Sequence, residues 1–431
     1  RPPKDAVRIE EMVNYFSYDY PEPTDNRPFS ITTDVAACPW AEGHRLVHIG
    51  LKGRSMDAAH QPPCNLVFLI DVSGSMDEPN KLPLVKSAFR LLTQQLRAKD
   101  RVAIVVYAGN AGVVLPSTRG SEKQKILDAL DRLEAGGSTA GGEGIQLAYK
   151  IARENFLREG NNRVILATDG DFNVGVSSDG ELLRLIEKER RSGVFLTALG
   201  FGMGNYKDSK MQTLADAGNG NYAYIDTALE AKRVLVFQMG ATLFTIAKDV
   251  KIQVEFNPAR VASYRLIGYE KRLLNDEDFN NDAKDAGEIG AGHTVTALYE
   301  VVPAGLGEWK SGVDPLKYQT RTPVDTADRS GELLTVKFRY KAPQGEKSHL
   351  ITTVLKDEGA RPIQRASENL RFAASVAAFG MILRESPFIG KFSYDDAANL
   401  AAGALGDDPD GYRAEFVRLV KAARGLDEQK S

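Results

Sequence analysis

The chain is poor in cysteine and histidine. It has two cysteines, Cys38 and Cys64, and five histidines, at positions 44, 48, 60, 293 and 349. No Cys/His spacing suits a zinc site, and a disulfide framework is excluded. The two cysteines either form one bridge, as in an exported protein, or stay as buried thiols. Long apolar runs are missing too: nothing approaches the roughly 18 residues that cross a bilayer. Nor is there an excess of one charge. With 55 basic and 58 acidic residues the formal net charge is −3, which leaves no electrostatic footprint for nucleic acid. Internal repeats and low-complexity tracts are absent. The first residue is Arg1 rather than methionine, so an upstream segment is expected, and no signal peptide stands among these residues.

What is present is an ordinary globular composition, 42% apolar and 26% charged over 431 residues, enough for more than one domain. A short helical pattern at Ile9, Met12, Val13 and Phe16 is followed by a proline-punctuated linker over 18–28. Strand-like stretches follow at 29–36 and 46–51, the second with alternating burial. From residue 65 apolar strands alternate with helices. Strands fall at 66–70, 102–106, 113–115, 164–167, 194–199 and 222–225, and the last helix at about 228–239. That pattern predicts a parallel, doubly wound, Rossmann-like α/β domain over 65–240. Antiparallel strands are expected at 250–256, 264–269, 294–302, 333–340 and 349–355. Polar loops lie at 275–292 and 305–331, the latter too long for a simple connection. Residues 369–383 and 397–426 read as helices. The early strands of 1–64 have no sheet of their own. The economical solution joins them to 241–360 in an antiparallel β-sandwich, with the α/β domain as an insertion and 361–431 as a C-terminal helical segment. Phe372, Val376, Phe379 and Leu383 make an apolar stripe there, read as packing.

The chemistry concentrates at the strand ends. The strand at 66–70 runs into Asp71-Val72-Ser73-Gly74-Ser75-Met76, and that at 164–167 into Thr168-Asp169-Gly170. Taken singly, each reads more simply as a helix cap or a turn. In a doubly wound sheet, however, the first and fourth strands are neighbours at the switch point where ligands bind. Asp71 and Asp169 then arrive together from opposite halves of the domain. Thr139, in the Gly-rich turn of residues 136–142, comes from a third loop on the same rim. Asp71, Ser73, Ser75, Thr139 and Asp169 form an all-oxygen set suited to a hard cation, Mg²⁺ first, with Mn²⁺ or Ca²⁺ as alternatives. Neutral hydroxyl ligands leave the cation electrophilic, so an open position would attract a Glu or Asp side chain of a partner protein.

These residues, Asp71-x-Ser73-x-Ser75, Thr139 and Thr168-Asp169-Gly170, resemble the metal-ion-dependent adhesion site (MIDAS) of von Willebrand factor A (VWA) domains over about 65–240. Residues 8–16, Pro39-Trp40 and residues 292–299 resemble the bacterial YfbK-like VWA proteins. Those are largely uncharacterised and often labelled calcium-activated chloride channel homologues, a label that is no sign of a channel here. The resemblance implies export, often as a lipoprotein, and so a bacterial envelope or periplasmic location with a lipid anchor upstream. It also implies that ligation shifts the last helix of the domain. A VWA domain inserted in a β-sandwich is similar in architecture to integrin β subunits and inter-α-inhibitor heavy chains.

The expected function is therefore a metal-dependent adhesion or scaffold module, not an enzyme. The alternative is an envelope scaffold in which the metal only staples loops. A metal-dependent hydrolase is less favoured: the histidines lie outside 65–240 and no general base is identifiable. Residues 200–204, Gly-Phe-Gly-Met-Gly, lack the marks of a phosphate loop and read as a plain loop beside the rim. Phe172 and Asn173 could shape a partner's footprint there. Asp282, Asp285 and Glu288 read as a solvated acidic loop. Trp40 reads as a packing residue, and Trp309 as packing or an exposed contact.

Overall fold

The computed structural model describes residues 2–57, 59–138, 141–170, 179–202, 208–238, 243–269, 279–281, 287–306, 330–343 and 345–428. The chain forms two compact units, one of residues 1–55 with 245–431 and one of residues 56–244.

The first unit holds two four-stranded sheets. In one, β1 (Phe29–Ala37), β2 (Arg45–Gly53), β12 (Thr294–Pro303) and β10 (Val261–Leu266) lie in the order β1-β2-β12-β10. In the other, β11 (Gly287–Gly290), β9 (Thr245–Phe256), β13 (Glu332–Lys341) and β14 (Ser348–Lys356) lie in the order β11-β9-β13-β14. Val47 and Ile49 of β2 share a core with Phe256 of β9 and Leu334 and Val336 of β13, so the two sheets are joined through their inner faces. The strand β11 falls inside the stretch read as a loop. It is four residues long and amid polar sequence, too short to show a period.

Alternating burial is not what β2 shows: residues 46–51 are buried without interruption. The face away from the second sheet is covered as well. Leu46 and Leu298 join a core with Ile9 and Val13 of α1 (Ile9–Tyr15) and with the C-terminal helix α8 (Glu368–Leu383). Phe372, Val376, Phe379 and Leu383 of the expected stripe are buried in that core, and of the residues between them all but Ile382 are buried too. The expected helix over 397–426 is two helices, α9 (Tyr394–Ala402) and α10 (Tyr412–Glu428). Gly406 and Gly411 between them take positive φ, 60° and 75°, outside the helical region, so the two helices do not run into one.

Tyr20 lies across β2. A Cβ on Gly50 would sit 2.4 Å from its ring, so only glycine admits the tyrosine there. The Tyr20 hydroxyl is 2.7 Å from His48 Nε2 and 2.7 Å from Thr296 Oγ1. Burial pushes the His48 imidazole down to about 4, against the pull of Asp34. The unfolded chain protonates this histidine near pH 6.5, and the folded protein holds it neutral down to about pH 4. Its contribution to stability is therefore whole above pH 6.5 and is lost as the pH falls from there to 4, in all about 3 kcal/mol. Urea unfolding at pH 7 and pH 5 should show a fall of about 2 kcal/mol, and His48→Gln should flatten it. Equal slopes in both proteins would count against His48 as the source.

The second unit is a six-stranded sheet of β3 (Cys64–Asp71), β4 (Arg101–Tyr107), β5 (Ala111–Arg119), β6 (Asn161–Thr168), β7 (Val194–Phe201) and β8 (Tyr222–Ile225), in the order β5-β4-β3-β6-β7-β8. The first and fourth of these strands are neighbours, with Ile70 opposite Ala167. The sheet is mixed, not wholly parallel: β5 runs antiparallel to β4. Only residues 108–110 connect the two, and a parallel crossover needs a dozen or more. Every residue of β3 and of β6 is buried. Helices α2 (Leu82–Gln95), α3 (Lys123–Asp131), α4 (Gly141–Glu154), α5 (Asp179–Arg191) and α6 (Asp208–Ala217) complete the unit. The last expected helix is shorter and irregular: α7 (Ala228–Lys232) passes into a π-helical turn, Arg233–Phe237. Cys38 and Cys64 are both free, buried thiols, and burial pushes each up to about 12. Among the described residues no helix is long and apolar enough to cross a membrane.

Candidate metal centre

Asp71 is the last residue of β3 and is fully buried. Its Oδ1 accepts the Ser73 backbone N–H at 2.9 Å. Its Oδ2 accepts the Tyr107 hydroxyl and the Thr168 hydroxyl, both at 3.1 Å. Register explains both donors: Tyr107 is the partner of Asp71 on β4, and Thr168 ends β6 on the other side. Burial raises the Asp71 carboxyl above the ordinary range. The Ser73 hydrogen bonds pull the other way, and the charge of Asp169 adds to the rise. A buried carboxylate facing a second one is a site that favours a cation.

After Asp71 the chain turns outward. Ser73 is buried and Ser75 exposed, and their hydroxyl oxygens are 3.1 Å apart. In an octahedral site with bonds of about 2.1 Å, adjacent ligands are about 3.0 Å apart. The two serines thus span one edge of such a site. The Gly-rich loop is fastened beside them: Gly136 N–H donates to Val72 O at 2.8 Å, and Gly74 N–H donates to Gly137 O at 3.0 Å. Gly137 has φ of 82°, a conformation suited to glycine. Thr139 lies outside the described residues, as do Phe172, Asn173, Met203, Asp282, Asp285 and Trp309. Asp71, Ser73, Ser75 and Asp169 are brought to one rim. Glu288 is on β11, where its Oε2 accepts the Thr245 hydroxyl. Trp40 is buried and donates to Glu300.

Lys81 is the residue that pattern reading missed. It precedes α2 and is 7% exposed. Its ammonium donates to Ser75 O at 2.9 Å and to Asp169 Oδ2 at 3.3 Å, and lies 3.2 Å from Glu78 Oε1. Burial alone would lower its pKa, but the bonds to Glu78 and Asp169 outweigh it and hold it above the ordinary value. A cation at a helix N-terminus opposes the macrodipole, and that anomaly was the available signal. Gly202, with φ of 84°, abuts the lysine stem; a Cβ there would be 2.6 Å from Cε. His60 is in this unit, with its side chain 84% exposed and Asp57 3.6 Å away. Among the described residues no three His, Cys, Asp or Glu side chains gather as a metal cage. The donors are carboxylates and hydroxyls, a chemistry that fits a hard cation.

Over 433 residues the chain is 45% identical to "Uncharacterized protein YfbK" of Escherichia coli K12, covering 99% of this chain and 74% of that one. The chain belongs to the YfbK family. The family model "Uncharacterized protein YfbK, C-terminal" matches residues 241–426, the von Willebrand factor type A domain model residues 65–236, and a further model, "von Willebrand factor", residues 1–48. Inter-alpha-trypsin inhibitor heavy chain H3 of Bos taurus is 26% identical over 174 residues, 38% of this chain and 19% of its own. Among solved structures, the von Willebrand factor type A protein of Catenulispora acidiphila aligns over 94% of this chain and 91% of its own, with 18% identity and a TM-score of 0.44. For this YfbK-family chain, the VWA domain points to a module for protein interaction.

Proposed function

We propose that the chain is a metal-dependent protein-binding module of the bacterial envelope. Asp71, Ser73, Ser75 and Asp169, with Thr139, hold one hard cation, Mg²⁺ or its substitutes Mn²⁺ and Ca²⁺. The cation supplies the electrophile for an acidic side chain of a partner protein. The observation that carries this reading is the convergence of two strand ends from opposite halves of the sheet on one rim. There the Ser73 and Ser75 oxygens lie at the spacing of adjacent metal ligands. Asp71 is the buried floor and Ser75 the exposed lip, so an incoming carboxylate meets the site from solvent.

The scaffold reading, in which the metal only staples loops, is less well supported. The loops are already tied by backbone bonds from Gly74 to Gly137 and from Gly136 to Val72. A lipid anchor and a periplasmic location belong to the same proposal, by the resemblance read in the sequence.

The test is a comparison of the wild type with Ser73→Ala/Ser75→Ala. Calorimetric titration with MgCl₂ should show binding in the wild type and a loss of at least about tenfold in the variant. Envelope proteins retained on the immobilised full chain should be released by EDTA and absent from the variant. Retention that ignores both EDTA and the substitutions would refute the proposal.

A further inference from the structure

We propose that Lys81 is a built-in counter-cation that sets how tightly the site holds its metal. The inference rests on the metal reading above and concerns its regulation. The geometry is specific. An ammonium has three protons to give, and Lys81 has three acceptors: Ser75 O, Asp169 Oδ2 and Glu78 Oε1. Its stem lies against Gly202, where no larger residue fits without displacing it. The cation is thereby held on the carboxylate of one proposed ligand and on the backbone of another.

The two carboxylates at the rim repel each other, and Lys81 offsets that repulsion without any metal. A divalent ion arriving at Asp169 must share it with a fixed positive charge. The same charge lowers metal affinity and leaves the loaded site more positive toward an anionic partner. The lysine thus trades affinity for a site that keeps its shape when the ion leaves.

Lys81→Met removes the charge and keeps most of the stem. Lys81→Gln keeps a hydrogen-bond donor and supplies the comparison where the methionine variant folds poorly. The full chain is titrated with MgCl₂ by calorimetry, and its melting temperature is measured in EDTA and in saturating MgCl₂. Both variants should bind Mg²⁺ more tightly, on the order of tenfold. They should melt lower than the wild type in EDTA and gain more from the metal. Wild-type affinity in both variants, with a clear metal response in all three proteins, overturns the role of Lys81 and leaves the metal reading intact. No metal response in any of the three overturns both.

Discussion

The Asp71→Asn variant is expected to bind Mg²⁺ at least about 100-fold more weakly than the wild type, a loss of about 3 kcal/mol, and to melt no lower in EDTA. The two halves of that result have one cause. Asp71 is fully buried, and burial together with the charge of Asp169 works against its ionised form. In the folded chain its charge is a cost that a bound cation offsets. Asparagine keeps an oxygen for the Ser73 N–H, and its amide meets two hydroxyls, Tyr107 and Thr168, that can accept as well as donate. The local bonds are therefore preserved while the charge that draws the metal is gone. Calorimetric titration with MgCl₂ and melting curves in EDTA check the two halves separately. A variant that binds Mg²⁺ like the wild type would remove Asp71 from the ligand set. One that melts far lower in EDTA would show that the carboxylate is needed for folding in its own right.

Glu300→Ala is expected to destabilise the first unit by about 3–5 kcal/mol, the usual cost of removing one partner from a buried ion pair. Glu300 is 1% exposed on β12. Its Oε1 is 2.6 Å from His44 Nδ1, and its Oε2 accepts Trp40 Nε1 at 2.9 Å and the Arg265 guanidinium at 2.5 and 3.1 Å. Arg265 is the register partner of Glu300 on β10, while Trp40 and His44 stand between β1 and β2. One carboxylate thus ties the first hairpin of the chain to a pair of strands that follow some 200 residues later. Alanine strips charge and acceptors from a cation and an indole that face the interior. Urea unfolding measures the loss, and a change below about 1 kcal/mol would mean that the guanidinium finds another acceptor at little cost.

What could be read from the sequence follows the physics of each element. Strands β3 and β6 are buried on both faces, so their inner stretches, 66–70 and 164–167, appear as apolar runs, and the acids just after them, Asp71 and Asp169, stand out. That was enough to place Asp71 and Asp169 on one rim. The hairpin of β4 and β5 was legible in principle, because three residues cannot make a crossover. A strand after a strand in an α/β stretch nonetheless invites the parallel reading. The run at 46–51 reads as half-exposed because the cover on its outer face comes from α1 and α8, far away in sequence on either side, which local pattern does not reveal. The bonds of Tyr107 and Thr168 to Asp71, and the part of Lys81, stayed hidden for a related reason. Tyr107 and Thr168 reach Asp71 only through the register of neighbouring strands, and sequence does not state register. Lys81 shows in the sequence only as a cation at the unfavourable end of a helix, and its three acceptors come from folding.

The first unit is interrupted by the second, and that has a temporal consequence. Strands β1 and β2 leave the ribosome before the second unit, yet the inner neighbour of β2 is β12. All of 54–293 must be synthesised before that partner begins to appear, on the order of 10–50 s at ordinary translation speeds. The inserted unit contains its whole sheet and can fold during that interval. Meanwhile the apolar stretch at 46–51 waits with an open edge, the condition under which a nascent chain most needs a chaperone's shelter.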